Sequence, residues 1–163
     1  MKYFGSIVDF TRQRNADIMR VFRQKIVEAD VIRMDDICKA VAESPSCRFW
    51  VSEERAAIVI SSMESGRCLP CMTETKREMF AEIYRRYKEL RLIHPKMTIL
   101  ELATIVVNQP APKFYFTPRT VREFVCRIRN GYYDRKHNSI KADGFSKGSE
   151  GSACPDSKPS ERE

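Results

Sequence analysis

The sequence predicts an all-α protein made of two tandem trihelical repeats, each resembling a helix-turn-helix bundle, with a disordered C-terminal tail. Three observations predict this architecture: a match of the chain with itself at a shift of 65 residues, apolar residues at helical spacing between capping motifs, and a C-terminal region of Gly, Ser, Pro and charge. The predicted boundaries are residues 1–66 for the first repeat, 67–75 for a linker, 76–135 for the second repeat and 136–163 for the tail.

The internal match needs no gaps and joins apolar positions to apolar positions, caps to caps and turns to turns. The clearest pairs are Ala16 with Ala81, Ile18 with Ile83, Arg20 with Arg85, Phe22 with Tyr87, Pro45 with Pro110, Phe49 with Phe114, Trp50 with Tyr115 and Gly66 with Gly131. We interpret the match as a duplication, and we call residues 16–66 the first copy and residues 81–131 the second copy.

The first helix of the second copy is predicted to start at a capping box of Thr75 and Glu78, whose side chains satisfy the free amides of a helix start. Proline disfavours the α conformation in the residue before it, so His94-Pro95 ends this helix. Apolar residues between these ends recur at helical spacing: Phe80, Ile83, Tyr84, Tyr87 and Leu90.

Two further helices complete the second copy. Thr98 and Glu101 form a capping box that opens a short helix, which Pro110 and Pro112 stop. Thr117-Pro118 starts the third helix, with threonine at the cap and proline at the first helical position. The predicted inward residues are Leu102, Ile105 and Val106, then Val121, Phe124, Val125 and Ile128, with Gly131 placed to cap the end.

The first copy follows the same plan with weaker signals. Its three predicted helices have the apolar positions Ile18, Phe22 and Ile26, then Ile37, Ala40 and Val41, then Ala56, Val59, Ile60 and Met63. After about Lys136 the chain turns to Gly, Ser, Pro and charge with almost no apolar residues, which is typical of a disordered segment.

Composition limits the class of protein. The chain has no run of about 20 apolar residues, as a transmembrane helix needs, and no long apolar stretch precedes Asp9, so we expect no secretory signal. The six cysteines do not resemble a disulfide framework, and we expect reduced thiols in a cytoplasmic protein.

The net charge of +7 is concentrated in one half of the chain. The first copy has seven Lys/Arg against nine Asp/Glu, whereas the second has ten against four. This asymmetry indicates a localised anionic partner, and a solvated charged surface is the alternative.

The arginine residues in the third helix of the second copy indicate the chemical class of that anionic partner. At 100° per residue, Arg119, Arg122, Cys126 and Arg129 share one stripe beside the core face, and guanidinium groups suit phosphates and guanine edges. The equivalent stripe of the first copy is Glu54, Ala57, Ser61 and Glu64. We therefore expect binding of nucleic acid, with double-stranded DNA favoured, in regulation or mobile-element biology. The predicted nucleic-acid-binding residues are Lys113, Tyr115, Arg119, Thr120, Arg122, Arg127 and Arg129.

Each copy also has an alternating aromatic segment before its third helix, residues 48–51 and 113–116. In an extended segment neighbouring side chains point to opposite sides. Phe49 and Phe114 are predicted to anchor the core, which leaves Trp50 and Tyr115 on the other side. Those two rings could pack in a core or between domains, or a base could stack on them beside the cation at Arg48 or Lys113.

The sequence has no catalytic signature, so we expect a non-enzyme without metal or cofactor. Cys68 and Cys71 are a single Cys-x-x-Cys pair, and a structural zinc site would need two further ligands that the spacing does not supply. The alternative function is a protein-interaction or self-association module in which oppositely charged copies attract each other.

Three segments carry a resemblance to known proteins: residues 44–56 (SPSCRFWVSEERA), 76–86 (KREMFAEIYRR) and 109–115 (QPAPKFY). Through them, residues 16–131 resemble a group of small tandem-repeat helical proteins encoded in Bacteroidetes genomes. The resemblance implies a bacterial, cytoplasmic setting and supplies no activity, because none is assigned to the group.

Overall fold

The computed structural model describes residues 4–67 and 72–133, and these residues form six α-helices. The helices are α1 (Phe4–Glu28), α2 (Met34–Glu43), α3 (Glu53–Glu64), α4 (Glu74–Ile93), α5 (Ile99–Val107) and α6 (Pro118–Arg129). The predicted all-α class is confirmed for this part of the chain. None of the six described helices is long and apolar enough to cross a lipid bilayer. The predicted tail, residues 136–163, lies outside the described residues.

Most helix ends follow from local sequence. At the start of α5 the Thr98 hydroxyl accepts from the Glu101 amide and the Glu101 carboxylate accepts from the Thr98 amide, so this capping box is confirmed. Thr117 caps α6 in the predicted way. The box predicted at Thr75 is wrong, because Thr73 takes the cap position and Thr75 lies inside the first turn.

The six helices pack as two lobes, and each lobe takes its third helix from the other copy. The first lobe contains α1, α2 and α6, and the second lobe contains α3, α4 and α5. The first lobe buries Val121 and Val125 of α6 against Ile18, Phe22 and Val41. The second lobe buries the α3 residues Ala56, Val59 and Ile60 against the α4 and α5 residues Phe80, Ile83, Tyr87, Leu102 and Val106.

This packing corrects the predicted domain boundaries. Residues 1–66 and 76–135 do not each enclose a core of their own, because α3 leaves the first range to pack on α4 and α5, and α6 leaves the second to pack on α1 and α2. Ile105, predicted to face inward, is 39% exposed at the edge of α5.

Two crossover segments, residues 44–52 and 108–117, carry the third helices between the lobes. They pair with each other where the Ser46 amide donates to the Ala111 carbonyl and the Ala111 amide donates back to Ser46, both at 3.1 Å. The Phe49 amide donates to Val107, and the Phe114 amide donates to Ala42. Both pairs of contacts are related by the 65-residue shift, so the two crossovers run around an approximate twofold axis.

The aromatic residues of the crossovers fill both cores. Phe49 and Phe114 are each 1% exposed, which confirms them as core anchors, but each anchors the lobe of the other copy's helices. Phe49 stacks on Tyr115 in the second lobe, with ring centroids 6.0 Å apart, while Trp50 and Phe114 lie in the first. Both sides of each crossover are therefore covered by core.

Asp17 of α1 fastens the first crossover. Its side chain is 4% exposed and accepts hydrogen bonds from the Cys47 amide at 3.0 Å, from Trp50 Nε1 at 3.3 Å and from Arg20 at 2.6 Å. Burial raises the pKa of Asp17, but the hydrogen bonds from Cys47 and Arg20 lower it more, so the pKa lies below its ordinary value. The carboxylate thus replaces the water that the crossover amide and the indole lost on burial.

Candidate nucleic-acid interface

The helix α6 has one packed face and one solvent face. Its 12 residues span roughly 18 Å at 1.5 Å per residue. Val121 and Val125 are fully buried, and Phe124 and Ile128 are half-buried beside them. The solvent face carries four arginines and a single glutamate, so α6 is the most basic of the three helices in the first lobe.

The arginine edge of α6, defined as Arg119, Arg122 and Arg129, is exposed as the sequence predicts. The Arg119 side chain is 91% exposed, and its Nε lies 3.7 Å from Glu123. Arg127, next to the edge, lies 3.8 Å from the same glutamate. Both distances exceed the usual length of a charge-assisted hydrogen bond, so the guanidinium groups of Arg119 and Arg127 keep their donors available.

Arg122 makes the closest ion pair of the edge. Its NH1 lies 2.9 Å from the Asp35 carboxylate at the start of α2, and the two side chains are 55% and 85% exposed. An ion pair this exposed contributes about 0–1 kcal/mol, so a phosphate can replace Asp35 at small cost. Asp35 was not among the predicted residues, because it is 87 positions from Arg122 and belongs to the other copy.

Of the two predicted contact residues in the crossover, Tyr115 belongs to packing instead and Lys113 has an ion-pair partner. Tyr115 is 7% exposed and lies against Phe49, so no base can stack on it, and Trp50 at 8% is closed in the same way. Lys113 forms an ion pair with Glu78 of α4, with its ammonium 5.2 Å from the Tyr115 ring. The packing alternative therefore holds for Tyr115 and Trp50, which leave the candidate site. The ion pair of Lys113 is exposed like that of Arg122, so Lys113 as a contact residue stays a prediction.

Thr120 has a local partner. Its hydroxyl shares a hydrogen bond with the Thr117 hydroxyl at 2.8 Å, and its amide donates to the same oxygen. It lies half-buried in the first turn of α6 and stabilises that turn.

Arg14, which was not among the predicted residues, packs against the inner side of α6. The Arg14 guanidinium of α1 lies 4.2 Å from the centre of the Phe124 ring, a distance typical of a cation–π contact. Burial lowers the pKa of Arg14, with the nearby Tyr133 acting in the opposite direction. No local pattern could identify Arg14, because its partner is more than 100 positions away.

The exchange of third helices also redistributes charge. The helices of the first lobe have ten Lys/Arg against seven Asp/Glu, and those of the second lobe have seven against eight. The basic excess that the sequence places on the second copy therefore lies on the first lobe, and α6 supplies it.

Within residues 4–67 and 72–133, no three His, Cys, Asp or Glu side chains gather as a set of metal ligands. Cys68 and Cys71 lie outside the described residues, and the expectation that they bind no metal stays a prediction. Comparison with protein-family models, curated proteins and solved structures finds no match to this chain.

Proposed function

We propose that the protein binds double-stranded DNA through the solvent face of α6, using Arg119, Arg122, Arg127 and Arg129. The observation that carries this proposal is that four exposed arginines occupy a single short helix whose opposite face is packed into a trihelical lobe. The wider interpretation of the chain as a tandem duplication of helix-turn-helix-like units belongs to the same proposal.

The dimensions of α6 suit the major groove. A helix fits the groove of about 12 Å width, and an arginine there can donate two hydrogen bonds to guanine or contact the backbone phosphates. In trihelical DNA-binding proteins the last helix enters the groove while the other two hold it. Here α1 and α2 would hold α6, so the supporting helices come from the first copy and the contacting helix comes from the second.

The test is a salt titration of binding to a random-sequence duplex. The double variant Arg119→Gln/Arg122→Gln should bind about tenfold or more weakly, and the slope of log K against log [salt] should fall by about 1.8, since each lost phosphate contact removes about 0.9. Arg12→Gln/Arg77→Gln removes the same charge from α1 and α4 and is the matched control. If both double variants lose DNA affinity equally, binding depends on the total charge of the protein and not on α6, and the proposal is wrong.

A second candidate is self-association through the oppositely charged copies. The contact between Arg122 and Asp35 favours it, because a basic and an acidic copy do meet there. This contact, however, lies within one chain, so these two charges are already paired and attract a second chain only weakly. A mass from size exclusion that rises at low salt and falls at high salt would favour this candidate over DNA binding.

A further inference from the structure

The outward faces of α1 and α4 are alike, although folding does not require it. At the same 65-residue shift, five exposed residues of α1 match five exposed residues of α4 in charge and size: Arg12, Ala16, Arg20, Arg23 and Val27 with Arg77, Ala81, Arg85, Lys88 and Leu92. On a helix, each set falls within an arc of about 80° and spans roughly 22 Å, and the same arc holds one exposed acid in the first turns of each helix, Asp9 and its equivalent Glu74. We call these two faces the basic stripes.

Packing explains only part of this match. Arg20 and Arg85 have a structural reason, since they form ion pairs with the equivalent acids Asp17 and Glu82. The remaining cations differ. Lys88 lies 5.0 Å from the centre of the Tyr84 ring. The side chains of Arg12, Arg23 and Arg77 are exposed and make no hydrogen bond, ion pair or ring contact within the part of the chain that the structure describes.

Both stripes end in exposed aliphatic residues. Val27 is 86% exposed and Leu92, its equivalent, is 85% exposed. Val31 and Ile32 extend the first group at the turn into α2, and Ile93 extends the second at the turn towards α5. A single exposed aliphatic residue is ordinary, but the same combination of cations and aliphatic end occurs on both lobes. We call these two groups the aliphatic tips.

We propose that the basic stripes and aliphatic tips dock on an anionic lipid surface. Lysine and arginine are attracted to negatively charged headgroups, and aliphatic side chains next to them can enter the boundary between headgroups and acyl chains. A nucleic acid would contact the cations and leave Val27 and Leu92 in water, so it explains the basic stripes but not the aliphatic tips. An anionic lipid surface explains both.

This proposal is independent of DNA binding by α6. The stripe on α1 lies opposite the core face of that helix, whose buried residues Ile18, Val21 and Phe22 point towards α2 and α6. The cations of the stripe therefore face away from the core that holds α6, and the two surfaces can be removed one at a time.

The test is co-sedimentation of the full chain with phosphatidylcholine vesicles, with and without phosphatidylglycerol. We expect binding only when phosphatidylglycerol is present. Val27→Ser/Leu92→Ser should weaken it about tenfold through lost insertion. Arg12→Gln/Arg77→Gln should weaken it and flatten its salt dependence, while Arg119→Gln/Arg122→Gln should leave it unchanged. Circular dichroism confirms that each surface variant stays folded.

Three results would overturn the proposal. The first is equal sedimentation with both vesicle types, and the second is no sedimentation with either. The third is loss of binding in Arg12→Gln/Arg77→Gln with no change in Val27→Ser/Leu92→Ser, because this would show a partner that reads charge alone. In that case, duplex DNA is added as a competitor. If it displaces the natural chain and Arg119→Gln/Arg122→Gln from the vesicles equally, the partner of the basic stripes is nucleic acid.

Discussion

Replacing Phe114 by alanine is expected to unfold the lobe of α1 and α2, although Phe114 belongs to the second copy. Its side chain is 1% exposed and packs among Ile18, Val41 and Val121. Truncating a buried phenylalanine costs about 3–5 kcal/mol, a large part of the roughly 5–15 kcal/mol that stabilises a domain. The measurement is amide hydrogen exchange along the chain, which should show lost protection in α1, α2 and α6.

The matched variant is Phe49→Ala, at the equivalent position of the first copy. Phe49 packs in the other core, so its truncation should expose the amides of α3, α4 and α5 first. The opposite pattern, in which Phe114→Ala removes amide protection from α4 and α5, would mean that each copy encloses its own core and that the third helices are not exchanged between the lobes.

The second large effect is expected from Asp17→Asn. The amide side chain keeps the shape of aspartate but has one acceptor oxygen instead of two and carries no charge. The Cys47 amide and Trp50 Nε1 both donate to Oδ2 and Arg20 donates to Oδ1, so the NH₂ group faces either the two buried donors or the Arg20 guanidinium. Hydrogen bonds to a charged group contribute about 1.5–3 kcal/mol, and a buried donor left unpaired adds its desolvation cost. We expect about 3 kcal/mol less stability near neutral pH, measured by urea unfolding.

The pH dependence provides a sharper check on Asp17. Its pKa is lower in the folded than in the unfolded chain, so its stabilisation is complete above the unfolded value of about 3.9 and is lost as pH falls through the folded value. The stability difference between the natural chain and Asp17→Asn should therefore shrink as pH falls below about 4.

The equivalent acid, Glu82, provides the control. Hydrogen bonds from Arg85 lower the pKa of Glu82 to about 2. Its side chain is 21% exposed, and it is linked to the second crossover indirectly, through Arg86, whose NH1 donates to the Pro110 carbonyl. Glu82→Gln should cost less than Asp17→Asn. Equal costs would show that Asp17 does not fasten the crossover.

The helices could be predicted from the sequence because their signals are local. Apolar spacing and caps such as Thr98 and Thr117 depend on residues within one or two turns. The same locality explains why the exposure of the arginine edge could be predicted: once α6 has its apolar face inward, the exposed side of Arg119 and Arg122 follows from the geometry of a helix.

The exchange of third helices could not be predicted in this way. Periodicity shows that α3 and α6 each have an apolar face, but the two copies have similar faces, so each third helix fits either pair of partners. The choice depends on the length of the crossovers and on the long-range pair Ser46 and Ala111. The connection before α6, residues 108–117, is longer than in a helix-turn-helix, and it is the one feature of the sequence that points to the exchange of third helices.

The burial of Tyr115 follows from the exchange. Alternation correctly puts Phe114 and Tyr115 on opposite sides, yet both are buried because the crossover runs between two cores. Tyr115 also adopts φ +57°, a left-handed conformation that is costly for a bulky residue. Its ring stacks on Phe49 from the other copy, a long-range contact that no local rule for the sequence could anticipate.

The exchange of third helices is tested most directly by cutting the chain between α3 and α4, within residues 67–73. A protease site placed there separates α1, α2 and α3 from α4, α5 and α6 without removing any helix. Since α3 is buried between α4 and α5, and α6 is buried on α1 and α2, the two fragments should co-elute in size exclusion at the mass of the uncut chain, with unchanged helicity. Two helical fragments that elute separately, each at its own mass, would contradict the exchanged architecture.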